Sequence, residues 1–136
     1  MRVLLDTPYL YDLVDRPGMF PGSERRVLAA PGTDFHVSAV SIWEMRLKYN
    51  ARHRSGERKS RFSPEDVVAA LDDQDMTFLP TTMRHAAGRL ETPLDHKDPF
   101  DELLMVQAQE EGLRLLTVDA LLVGHPLAVA AHELGP

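Results

Sequence analysis

Arg114-Leu115-Leu116-Thr117-Val118-Asp119 and, at the other end of the chain, Val3-Leu4-Leu5-Asp6 decide the fold. Both are short apolar runs that end on a carboxylate. Neither alternates polar with apolar residues, which is the pattern of a strand covered on both faces in a parallel sheet. Working outward, residues 35–38 and 76–79 read as two more strands and 127–131 as a last one. Helices are expected between them. One covers 9–14 with Pro8 in its first turn, one covers 24–30 behind a Ser23 cap, and one runs from Val40 to about Arg52. Ser63-Pro64-Glu65-Asp66 has a serine cap, a proline at the first helical position and an acid at the third, and opens a helix to about Asp73. A further helix is expected over 82–90. Asp98-Pro99-Phe100-Asp101 repeats the cap, proline and acid pattern and opens a helix to Glu111, stopped by Gly112. Short apolar strands alternating with helices predict an α/β three-layer sandwich with a central, mostly parallel sheet flanked by helices.

The 136 residues suit one domain, 1–136, with no linker or internal repeat to divide them. Hydrophobic residues at 43% and charged residues at 26% exclude wholesale disorder and a coiled coil. With no cysteine, disulfide frameworks, thiolate metal sites and a cysteine nucleophile are excluded. No stretch approaches the roughly 18 uncharged apolar residues of a membrane span. Asp6 also cuts the opening apolar run too short for an export signal. The expectation is therefore a cytoplasmic protein with no membrane partner. A net charge of −6 argues against a purely electrostatic nucleic-acid binder. It leaves open an enzyme that acts on nucleic acid, because charge distribution matters more than the sum.

Ligand sites in parallel α/β sheets lie at the carboxyl ends of the strands, where this sequence places Asp6 and Asp119. Either one alone reads equally well as a cap for the following helix. Two helical acids shift the balance. At 100° per residue, Asp101 falls beside Met105 and Ala108, at the edge of the apolar face made by Phe100, Leu103, Leu104 and Ala108, whereas Glu102 falls on the polar side. Glu44 falls next to Val40 and Leu47 in a helix that is apolar on most sides. The plain alternatives are a Glu44–Lys48 pair one turn apart and a dipole-favoured first-turn Asp101. Carboxylates beside a core are costly unless something positive meets them. If all four acids converge, a hard cation with oxygen ligands, Mg²⁺ or Mn²⁺, relieves their repulsion and equips the cluster for phosphodiester hydrolysis.

With these residues in view, the chain resembles the PIN domain, and within it the VapC-type ribonuclease toxins of bacterial toxin–antitoxin pairs. The resemblance is carried by Leu4-Leu5-Asp6-Thr7, by Val37-Ser38-Ala39-Val40-Ser41-Ile42-Trp43-Glu44, by His96-Lys97-Asp98-Pro99-Phe100-Asp101 and by Leu115-Leu116-Thr117-Val118-Asp119. It implies a PIN-like sandwich whose acidic quartet is Asp6, Glu44, Asp101 and Asp119. Asp6, Asp101 and Asp119 would hold Mg²⁺ or Mn²⁺, and Glu44 would complete the cluster or orient the attacking water. Thr7 and Thr117 look like the hydroxyls that steady neighbouring carboxylates. Asp98 is open between helix cap and a place around the metal. The resemblance further implies an RNA substrate, a cognate antitoxin protein and a homodimer. It departs from the family at Pro8-Tyr9, where a polar or aromatic residue often follows the Asp-Thr pair.

Other features bear on the same reading. Arg52, Arg54, Arg58, Lys59 and Arg61 cluster in 52–61 with only Glu57 against them. A solvated loop is the plain account, and in a ribonuclease the segment becomes a local track for the RNA backbone. Trp43 is expected in the core. The six histidines lack zinc-site spacing, and no phosphate-cradling glycine loop or serine-hydrolase elbow is present. Two other classes remain: a catalytically inactive PIN-like binding module, and a receiver- or phosphatase-type phosphoacceptor with Asp6 as nucleophile. The phosphatase pattern wants a second Asp where Pro8 stands, and the receiver pattern wants an acid where Leu5 stands.

Overall fold

The computed structural model describes residues 1–15, 32–51, 63–72 and 76–134. Five parallel strands form one sheet: β1 Arg2–Leu5, β2 Asp34–Ser38, β3 Thr77–Leu79, β4 Arg114–Leu116 and β5 Ala128–Val129, in the order β3-β2-β1-β4-β5. The described helices are α1 Thr7–Asp15, α2 Ala39–Asn50, α3 Pro64–Asp72, α4 Met83–Ala87 and α5 Pro99–Glu111. β1 is the central strand. Leu4 is level with His36 on one side and Leu115 on the other.

Side chains alternate across a strand, so a wholly apolar strand feeds two cores at once. Val3 and Leu5 of β1, Phe35 and Val37 of β2, and Leu116 of β4 pack with Tyr9 and Leu10 of α1 and with Val67 and Leu71 of α3. Leu4, Leu115 and Ala128 point the other way, onto Leu104, Met105 and Ala108 of α5. Each fully buried leucine contributes roughly 2 kcal/mol. α2 stands at the seam, giving Val40 to the second core and Met45 to the first. The result is the expected α/β three-layer sandwich.

Several boundaries differ from expectation. The helix expected over 82–90 ends at Ala87, and Gly88 is extended. A Cβ at position 88 would lie 2.6 Å from Val106 Cγ1, so the chain's close approach to α5 at this point suits glycine. β4 stops at Leu116, although the Thr117 N–H still donates to the Val129 carbonyl. Trp43 is corrected: it is 46% exposed, its ring edge-on to Phe100 at 5.2 Å. Apolar residues surround α2 on most sides, and the sheet selects Val40, Ser41, Glu44 and Met45 for burial instead. The expected helix 24–30 and the basic segment with Arg52, Arg54, Arg58 and Lys59 lie outside the described residues.

Candidate active site

The strand order reverses between β1 and β4. The chain proceeds outward from β1 to β2 and β3, then returns to build β4 and β5 on the other side. The crevice beyond the carboxyl ends of β1 and β4 is therefore the switch point of the sheet, where side chains from both halves meet. Asp6 follows β1 directly, and Thr117 and Asp119 follow β4. α5 leads back into β4 through Gly112, whose φ of 67° forms the left-handed cap that turns the chain tightly. Its amino end therefore lies at the same edge of the sheet and brings Asp98 and Asp101 there.

Each acid is held by specific donors. Asp6 is buried: its Oδ1 accepts from the Thr7 N–H at 2.9 Å and its Oδ2 from the Thr117 hydroxyl at 2.7 Å. The Asp119 N–H donates to Thr117 Oγ1 at 3.0 Å, so one hydroxyl ties the two strand-end acids together. Asp119 Oδ1 accepts from the Leu121 N–H. Thr7 Oγ1 donates across the site to Glu44 Oε1 at 2.9 Å, while Glu44 Oε2 pairs with Lys48 Nζ at 2.7 Å. Both threonines thus hydrogen-bond to carboxylates, Thr7 to Glu44 through its side chain and to Asp6 through its backbone, Thr117 to Asp6 through its hydroxyl. Asp98 caps α5, its Oδ1 accepting from the Phe100 and Asp101 N–H groups. The Glu44–Lys48 pair also exists as the plain account foresaw, and it does not remove Glu44 from the site.

Asp6, Thr7, Glu44, Asp98, Asp101 and Asp119 line one cleft of about 340 Å³, with Lys48 as the cation among the described residues around it. Burial pushes the Asp6 carboxyl above its ordinary value despite the Thr117 and Thr7 hydrogen bonds, and Glu44 and Asp119 push it the same way. Asp101 is pushed up to about 7, first by burial, then by Asp98, Asp6 and Asp119, against the pull of His96. For Lys48, burial works against the charge, but the hydrogen bond and negative charge of Glu44 outweigh it and hold the ammonium above its ordinary value. Burial, and then neighbouring carboxylates, thus raise Asp6 and Asp101, and the donor set is all hard oxygen, which suits Mg²⁺ or Mn²⁺. Among the described residues no three Asp, Glu or His side chains stand close enough together to form a coordination shell. The fit is thus one of donor chemistry and charge.

The structure adds residues that sequence reasoning did not place here. Tyr11, one turn beyond Pro8 on α1, lines the cleft with its hydroxyl buried and without a hydrogen-bond partner. His96 directs its Nε2 toward Asp101 Oδ2 at 3.6 Å. Its position two residues before the Asp98 cap was the available signal. Glu102, as the helical geometry required, is exposed.

A family model described as PIN domain matches residues 3–123. No curated protein matches the sequence significantly. Among solved structures, the fold is similar to a chain in the crystal structure of VapBC2 from Rickettsia felis bound to a DNA fragment from their promoter. The TM-score is 0.60, at 15% identity over 96% of this chain and 97% of that chain. At this identity the likeness concerns the fold.

Proposed function

The chain belongs to the PIN domain family, and from that premise we propose that it is a Mg²⁺- or Mn²⁺-dependent endoribonuclease, the toxin of a toxin–antitoxin pair. The observation that carries the reading is the convergence of Asp6, Glu44, Asp101 and Asp119 on one cleft at the switch point of the sheet, with Asp101 pushed up to about 7. Asp6, Asp101 and Asp119 would hold the metal. When bound, the ion supplies an activated water and charge stabilisation for phosphodiester hydrolysis. The chain's own part is positional. The Thr117 hydroxyl and the Thr7 N–H fix both oxygens of Asp6. Thr7 and Lys48 hold Glu44, which would orient the attacking water. No covalent intermediate is needed.

RNA is the proposed substrate. A cognate antitoxin is the proposed protein partner, in keeping with the two-protein assembly named for the structural neighbour. A homodimer is the proposed state and the cytoplasm the proposed compartment; among the described residues no helix is long and apolar enough to cross a membrane. Arg52, Arg54, Arg58 and Lys59 are proposed to contact the RNA backbone, so neutralising them should flatten the salt dependence of RNA binding.

The test is cleavage of a single-stranded RNA reporter by the purified protein. Mn²⁺ should support cleavage, EDTA should stop it and added Mn²⁺ should restore it. Metal-independent cleavage would overturn the metal site. Mg²⁺ binding without RNA cleavage would favour a receiver-type domain, and neither binding nor cleavage would favour an inactive binding module. A short neighbouring gene encoding a DNA-binding amino-terminal segment would support the toxin assignment.

A further inference from the structure

His96 stands in the loop that leads into α5 and has a definite hydrogen-bonding state. The Asp98 N–H donates to its Nδ1 at 3.3 Å. An imidazole nitrogen that accepts carries no proton, so the neutral ring holds its hydrogen on Nε2. Nε2 is buried and has no hydrogen-bond partner, a costly condition for a donor. It faces Asp101 Oδ2 at 3.6 Å, just beyond bonding distance, and the two side chains are similarly shielded, at 17% and 14% exposure. Asp98 organises both groups: its N–H sets the His96 tautomer, and its carboxylate caps the backbone of Asp101.

We infer that His96 is a positioning residue for Asp101, its Nε2–H engaging Oδ2 so that the carboxylate is held in one orientation and its other oxygen is offered to the cleft. The inference rests on the metal-site reading above. Carboxylate ligands work best when a neighbouring donor fixes them, and losing such a donor typically weakens metal affinity 10–100-fold. Lys97, the neighbouring cation in the same loop, is exposed.

The test measures Mn²⁺ binding to the full chain by calorimetry without RNA, beside cleavage kinetics. His96→Leu keeps bulk but loses the donor, and its Mn²⁺ affinity should fall about 10-fold or more. In that variant kcat should fall while KM for RNA stays within about 2-fold, because Asp101 binds metal and not RNA. His96→Gln carries a neutral N–H donor at similar reach and should recover most of the affinity. Wild-type affinity in His96→Leu, or a Gln variant as weak as the Leu variant, overturns the positioning role. Should the wild-type protein bind no Mn²⁺, the metal-site reading falls and this inference with it. That outcome is distinguishable because it appears before any variant is made.

Discussion

The two ends of α5 treat buried polarity in opposite ways. At the carboxyl end, Ser38 donates to Gln107, Gln107 Nε2 reaches the Pro80 carbonyl and His85, and His85 Nε2 meets Glu111 at 2.8 Å. The last turn has no basic residue of its own, and Glu110 and Glu111 sit at the unfavourable end of the helix dipole. Arg84 meets Glu110, His85 meets Glu111, and Arg2 donates to the Glu111 carbonyl, so the charge is answered from elsewhere. At the amino end, Asp98 and Asp101 lie in the favourable field of the dipole, yet they share a cleft with Asp6, Asp119 and Glu44 and, among the described residues, one lysine. One end is a satisfied network that specifies packing. The other, among the described residues, gathers carboxylates in excess of cations, a condition that a bound cation would relieve.

The contrast predicts that mutations at the two ends separate activity from stability. The largest effect is expected at the amino end: Asp101→Asn should reduce RNA cleavage to background without unfolding the protein, whereas Glu102→Gln should stay within about 2-fold of wild type, since loss of a ligand and loss of a solvated charge differ in kind. Unfolding of Asp101→Asn would break the comparison. At the carboxyl end, Gln107→Leu strands Ser38 and His85 and should lower the unfolding free energy by about 1–3 kcal/mol in urea, with cleavage per folded molecule unchanged.

A smaller effect is expected from pH. Asp101 titrates from 3.8 in the unfolded chain and about 7 in the fold, so between these values the folded metal-free protein holds the extra proton. The contribution of Asp101 to stability is therefore greatest below pH 4, declines as pH rises toward 7 and stays reduced above that. Melting curves across pH 4–8 in EDTA should show this decline. Asp101→Asn should flatten it, and millimolar Mn²⁺ should raise the melting temperature most at neutral pH. A flat wild-type profile would mean that the acids do not strain the fold. Least of all, Lys48→Met should lower stability by no more than about 1 kcal/mol, because Lys48 is half exposed and one turn from Glu44, although Glu44 itself is buried.

Much of this was legible in the residues. The caps at Ser63 and Asp98 and the stop at Gly112 fall where cap chemistry puts them, because such signals are local and act within one turn. The helical offset that separates Asp101 from Glu102 is equally local, and the structure leaves Glu102 in solvent. Trp43 was misplaced because apolar residues surround α2, so periodicity names no single inner face and only the neighbouring elements choose one. The contact of His96 with Asp101 is not legible in the sequence for a related reason: the direction of Nε2 depends on a loop conformation that spacing does not encode.

The sequence by itself determined the strands and helices near the acids and the type of each acid, through apolar runs, caps and 100° geometry. Only the tertiary structure decided that Asp6 and Asp119 are neighbours. Parallel pairing of β1 with β4 joins segments 111 residues apart through the Thr117–Asp6 hydrogen bond. It also decided that Glu44 reaches the site through Thr7. Strand order is a non-local choice, made by which faces can be buried together, and no local signal carries it.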